Sequence, residues 1–177
     1  MGQIIIEDPG GLHNSNFEHS RDRLLRGNTY KDLSTVCVIP TRGMIPAKVV
    51  QSWWGLMTPM NQKFIRIFVI GMEVGEAYSS AIEQILGNPE LSKWKYVLTL
   101  EEDNLPPIDG LLKLYENVDK FDIIGGLYWT KGEGGQPMIY GDVQDKELNF
   151  RPQVPMGDIQ ECNGLGMGFT LFKLDIF

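Results

Sequence analysis

The sequence is poor in cysteine, histidine and positive charge, and none of its apolar runs approaches the ~20 residues that a membrane span requires. Cys37 and Cys162 stand far apart, so two buried thiols on core strands are expected rather than a disulfide, which suits a reducing, cytoplasmic setting. His13 and His19 have no cysteine partners at zinc-ligand spacing, which argues against a structural zinc. The opening residues Met1 to Asp8 lack the basic and long apolar regions of a secretory signal. Ile6 stands where a myristoylation signal wants serine or threonine. Lys and Arg number 16 against 23 Asp and Glu, a net charge of −7, and no basic stripe relieves the repulsion that nucleic acid would feel. The chain also lacks a P-loop, which disfavours ATP hydrolysis. An acidic protein that takes an anionic ligand needs a local remedy, such as a metal ion or backbone amides.

A length of 177 residues fits one domain. Residues 1–33 read as a polar arm that wraps the surface, with a turn at Asp8-Pro9-Gly10-Gly11. From Ser34 the pattern becomes regular. Residues 35–40 form a β-branched apolar run, 64–70 a second and 94–100 a third, each expected as a strand. Between and after them, residues 46–56, 74–86 and 108–118 carry helical patterns, with Pro46 in the first turn and Gly87-Asn88-Pro89 as a stop. Residues 121–129 read as a fourth strand. Strand and helix alternating in this way argue for a mostly parallel α/β sheet flanked by helices over residues 34–177. Beyond it lie a Gly-rich loop at 131–136, short antiparallel strands at 138–141 and 148–150, and a final buried strand at 166–172.

The third strand runs straight into Glu101-Glu102-Asp103. In open parallel sheets, ligands bind beyond the carboxyl ends of the strands. In an extended stretch, residues two apart face the same way, so Glu101 and Asp103 are expected to project together while Glu102 points away. Adjacent carboxylates repel unless a cation lies between them. Mg2+ or Mn2+ suits this, since it prefers oxygen ligands and often takes only one or two from protein, leaving the rest to phosphate and water. A plain solvated or helix-capping role is the competing reading; the strand-end position and Asn104-Leu-Pro-Pro, which bars a helix, weigh against it.

With those residues in view, the chain from Ser34 to Phe177 resembles glycosyltransferases of the GT-A fold, above all the family-two-like group of inverting enzymes. Four segments carry the resemblance: Val36-Cys-Val-Ile-Pro-Thr-Arg-Gly43; Tyr96 to Pro107, in which Glu101-x-Asp103 stands for the Asp-x-Asp metal motif; Asp122 to Trp129; and Asn163-Gly-Leu-Gly-Met-Gly-Phe169. The resemblance implies that Pro40, Thr41, Arg42 and Glu102 lie near the nucleotide of a nucleoside diphosphate sugar. It further implies that Glu101 and Asp103 hold Mn2+ or Mg2+, and that Tyr128 and Trp129, with Gly126 and Gly164, flank the sugar or a carbohydrate, lipid or protein acceptor. The family often has an acid after the second strand; here Gly71-Met72 follows, and Glu73 is the nearest. Family members usually continue past the point where this chain stops, with an acidic base, so the resemblance implies either a minimal or truncated version or catalysis completed elsewhere.

Several features carry blander expectations. Of Trp53 and Trp54, at helical spacing beside Val49 and Val50, at least one is expected in the core. Arg42 either neutralises a phosphate or caps a loop. Gly164, Gly166 and Gly168 lack a dinucleotide fingerprint and read as close packing near a ligand. Residues 131–136 are either a loop that closes over the donor or a hairpin tip. Two rivals to sugar transfer stand beside it. One is a nucleotidyltransferase, whose Gly-rich triphosphate loop is not visible in Thr41 to Pro46. The other is a non-catalytic binding or assembly module on the same fold.

Overall fold

A computed structural model describes residues 3–6 and 31–177. His13, His19 and the greater part of the expected arm lie outside the described residues. Strand β1 (Gln3–Ile6) is followed, after that gap, by β2 (Thr35–Thr41), α1 (Ala47–Gly55), β3 (Phe64–Ile70) and α2 (Val74–Gly87). Then come β4 (Tyr96–Leu100), α3 (Gly110–Tyr115), β5 (Ile123–Gly125), β6 (Ile139–Tyr140), β7 (Gly164–Leu165) and β8 (Phe169–Lys173). The central sheet has six strands in the order β1-β3-β2-β4-β8-β5. β2 pairs in parallel with β3 and β4, while β8 runs antiparallel to both β4 and β5, and β1 antiparallel to β3. β6 and β7 form a separate antiparallel pair. The expected α/β class is therefore the observed one: a sheet mostly parallel in its core, flanked by helices, with a small antiparallel addition.

Burial explains why these segments are strands. Every residue of β2 is buried, as a central strand covered on both faces requires, and between its terminal threonines the sequence is accordingly apolar without alternation. β3 alternates: Ile65, Ile67 and Val69 are buried and face Ala77, Ala81 and Ile85 of α2, together with Val36, Val38 and Val97. The opposite face of the sheet carries Cys37, Ile39, Leu98 and Leu100 against Val49 and Trp53 of α1 and Leu111 and Leu114 of α3. The result is three layers. Each fully buried aliphatic side chain contributes roughly 1.5–3 kcal/mol of transfer free energy, so the central strands hold the molecule together. Of the two tryptophans, Trp53 is in the core and Trp54 is 85% exposed.

Several expectations need correction. The start of the arm does not stay off the core, since residues 3–6 extend the sheet at the free edge of β3. Residues 148–150 are not a strand; β6 takes Gly164 and Leu165 as its partners, and Leu148 is 76% exposed. The helix expected at 108–118 is confined to Gly110–Tyr115, and the strand expected at 121–129 to Ile123–Gly125. Cys37 is buried on β2, but Cys162 is half-buried and lies outside any strand; the two are not joined in a disulfide. Glu73 is occupied as the N-cap of α2, accepting from the amides of Gly75 and Glu76 at 2.9 and 3.2 Å. Among the described residues, no helix is long and apolar enough to cross a membrane.

Candidate functional site

From β2 the chain moves to β3 on one side, and then returns past β2 to β4 on the other. The carboxyl ends of β2 and β4 thus flank the point from which the connections diverge, the place where open α/β sheets leave a crevice. Thr41 ends β2 and Arg42 follows it, and Glu101, Glu102 and Asp103 follow β4. The acidic residues do not continue the strand. They form a turn closed by the Asn104 amide, which donates to the Glu101 carbonyl at 3.0 Å. Pro106 and Pro107 follow; the Pro106 carbonyl accepts from the Ser52 hydroxyl at 3.0 Å and the Asn104 carbonyl from the Trp53 indole at 3.0 Å. These bonds tie the turn to α1.

The three carboxylates meet three different surroundings. Glu102 accepts from the Thr41 hydroxyl at 2.6 Å, from the Arg42 amide at 2.9 Å and from Arg42 Nε at 2.6 Å. Burial alone would raise its pKa, but the bonds from Thr41 and then Arg42 outweigh it and hold the carboxyl below its ordinary value. Glu102 thus cross-links the two strand ends. Asp103 forms an exposed ion pair with Lys131, with Nζ 2.5 Å from Oδ2. Glu101 is half-buried, and its pKa is raised, first by burial and then by the charge of Asp103, against which Lys131 acts. Among the described residues, no hydrogen bond or ion pair reaches its carboxylate. Glu101 and Asp103 therefore lie within electrostatic reach of each other, while Glu102 turns away to Thr41 and Arg42.

The floor of the site comes from β8 and the segment before it. Gly168 donates its amide to the Tyr128 hydroxyl at 2.9 Å. A Cβ on Gly166 would strike that hydroxyl, and one on Gly168 would strike the side-chain amide nitrogen of Asn104, with the Tyr128 ring carbon Cζ at 2.7 Å. The glycines are there for close approach. Tyr128 stands near enough to Glu101 and Asp103 that both charges, after burial, raise its pKa. Beneath the turn, Tyr78 of α2 is buried with its hydroxyl unpartnered; the Thr99 hydroxyl beside it donates instead to the Thr170 carbonyl at 3.2 Å. Burial and then the Glu101 charge push the Tyr78 phenol far above its ordinary range.

The residues expected at a ligand thus divide. Thr41, Arg42, Glu101, Glu102, Asp103 and Tyr128 are brought together. Pro40 pairs with Val69 inside the sheet, and Gly126 donates its amide to the Phe169 carbonyl at 2.9 Å. Trp129 is 52% exposed and bridges to Pro137 at the base of the Gly-rich loop. Gly164 is packed against the Phe150 ring in the small sheet. Arg42, whose two expected roles were phosphate neutralisation and loop capping, here holds Glu102. Sequence reasoning did not single out Lys131 or Tyr78. The signal for Lys131 was its place at the head of the Gly-rich loop; Tyr78 had none beyond sitting on the apolar face of a helix.

Two hollows, of about 410 and 380 Å3, lie elsewhere, one beside Ile85 and Asn88 and the other beside Trp94 and Lys173. Both are open; the first has no charged side chain in its lining, and the second has Asp175 beside Lys93, Lys95 and Lys173. Among the described residues, no group of three or more His, Cys, Asp or Glu is arranged to hold a metal. Glu101 and Asp103 offer two hard oxygen donors, a set that suits a divalent ion only when phosphate and water supply the rest.

Neither a protein-family model nor a curated protein matches the sequence. Among solved structures, the chain is similar to A197 from STIV, with a TM-score of 0.56 and 20% identity over 81% of this chain and 68% of that one. At that identity the likeness is one of fold.

Proposed function

We propose that the chain transfers a sugar from a nucleoside diphosphate sugar to an acceptor hydroxyl, with Mn2+ or Mg2+ between Glu101, Asp103 and the diphosphate. The observation that carries this reading is the meeting of Thr41, Arg42 and the three carboxylates at the diverging ends of β2 and β4. A site for an anionic donor in a chain of net charge −7 needs a positive partner, and paired carboxylates recruit one. When bound, a divalent ion supplies charge stabilisation for the departing diphosphate. The chain's own residues do the positioning. Glu102 fixes Thr41 and Arg42 relative to the turn, so that the donor meets a preformed edge instead of two independent loops. Trp129, half-exposed, presents a ring on which a sugar face can pack, and Tyr128 is held against the glycines of the 163–169 segment.

A second reading, a binding or assembly module without catalysis, is favoured by one feature: Asp103 and Glu102 already have cationic partners within the chain. Calorimetry separates the two readings. Titration with UDP and GDP is expected to give heat when Mn2+ is present and none without it. Asp103→Ala is expected to remove that heat while changing stability by no more than about 1 kcal/mol, because its ion pair is exposed. A flat wild-type titration with either nucleotide supports the non-catalytic module and overturns the transfer reading.

A further inference from the structure

We infer that Lys131 is a switch residue of the diphosphate site: its ammonium occupies the cation's place on Asp103 and passes to the diphosphate when the metal enters. The inference rests on the transfer reading and adds a named phosphate ligand to it. Lys131 heads the loop Lys131-Gly-Glu-Gly-Gly-Gln136, and the loop is built rather than loose. Its base is closed by the Trp129–Pro137 bridge, by the Thr130 amide donating to the Gln136 carbonyl at 2.9 Å, and by the Gln136 amide donating to the Thr130 hydroxyl at 2.9 Å. Gly132 and Gly134 have φ of 112° and 74°, a region open to glycine and costly for other residues. A Cβ on Gly135 would lie 2.5 Å from the Thr130 carbonyl oxygen. Lys131 is therefore delivered to the acidic turn by a closed loop whose geometry needs its glycines.

The ion pair it makes is short but exposed, with side-chain exposures of 78% for Lys131 and 48% for Asp103. Such pairs hold weakly in water, so a divalent ion bound to the same carboxylate displaces the ammonium readily. The displaced lysine remains on its loop beside the turn, where the negative charge nearest to it becomes the metal-bound diphosphate. A lysine acts on phosphate as a mobile point charge and needs no fixed fork geometry. The same residue thus opposes metal binding in the empty site and favours it once the nucleotide is present.

Calorimetry on the full chain tests this with Mn2+ alone and with UDP or GDP at saturating Mn2+. Lys131→Gln is expected to tighten Mn2+ alone by about three- to fivefold, because the competing ammonium is gone. It is expected to weaken the nucleotide in the presence of Mn2+ by about tenfold or more, because a charge-assisted contact is lost. Lys131→Arg is expected to restore both toward wild type. The opposite signs are the signature, since a merely structural lysine would move both in the same direction. If wild type binds nucleotide with Mn2+ but Lys131→Gln leaves both titrations unchanged, or shifts them together, the switch is overturned and the transfer reading stands. If wild type binds no nucleotide with Mn2+, both fall.

Discussion

Glu102→Ala removes a clamp of three hydrogen bonds between the ends of β2 and β4, and its cost can be worked from exposure. The Arg42 side chain is 91% exposed while that of Glu102 is 15% exposed. Releasing the guanidinium to water therefore costs about 0–1 kcal/mol. The bonds from the Thr41 hydroxyl at 2.6 Å and the Arg42 amide at 2.9 Å fall on a largely covered carboxylate, where each is worth about 1.5–3 kcal/mol. The Thr41 hydroxyl keeps one contact, since it also accepts from the Gly43 amide at 3.0 Å, and this moderates the loss. The expected destabilisation is about 2–4 kcal/mol, a fall in Tm of roughly 5–12 °C for a chain of this size. Arg42→Ala should cost no more than about 1 kcal/mol. Urea unfolding followed by tryptophan fluorescence measures both. The acid limb gives a second check through Glu102→Gln. Because the folded pKa of Glu102 is lowered, its contribution is complete above the free carboxylate value of 4.5 and drains away as pH falls through the folded value. The stability gap between wild type and Glu102→Gln should therefore be constant near neutrality and close in acid. Equal losses in Glu102→Ala and Arg42→Ala, or a gap that persists in acid, would refute the clamp.

Two further outcomes follow from the same turn. Glu101 titrates in the opposite sense: its folded pKa is raised, first by burial and then by Asp103, so its ionised form lowers stability above that pKa, and the penalty vanishes as pH falls to 4.5. Glu101→Gln should thus melt higher than wild type at neutral pH and lose this slope, as a pH series of thermal melts would show. Gly168→Ala sets a methyl against the side-chain amide nitrogen of Asn104 and the Tyr128 ring; it should cost about 1–3 kcal/mol and break the Gly168–Tyr128 hydrogen bond, visible as a change in tyrosine near-ultraviolet dichroism.

The parts of the fold legible in sequence were those governed by local pattern. The uninterrupted apolar run Val36–Ile39 announced one strand and the run at 64–70 a second, but not that only Ile65, Ile67 and Val69 of the second would be buried, since Phe64, Phe68 and Ile70 are apolar as well. Helices α1 and α2 kept their expected ends to within one residue because Pro46, Glu73 and Gly87 mark them. What failed was decided by partners distant in sequence. Nothing in residues 169–173 says that β8 slots between β4 and β5, or that residues 3–6 find the open edge of β3. Phe150, in the failed strand at 148–150, is apolar because its ring lies on Gly164 and not because it pairs in a sheet.

At the acidic turn the expected separation of Glu102 from its neighbours is seen, but for another reason. Period-two alternation separated Glu102 from Glu101 and Asp103, yet the segment is a closed turn, and the separation arises because Thr41 and Arg42 draw Glu102 across to β2. Sequence gave no view of that pull, because it acts between residues sixty positions apart. The consequence is a graded distribution of charge. Glu102 is neutralised by a clamp and Asp103 by a weak exposed lysine, while Glu101 has no direct partner and only the charge of Lys131 acts against its burial and the repulsion of Asp103. Three equivalent carboxylates would leave no reason for a ligand to choose among them. Here the unmet charge rests on Glu101 and the replaceable partner on Asp103, so the divalent ion proposed above would be held by those two residues and would leave the Glu102 clamp intact.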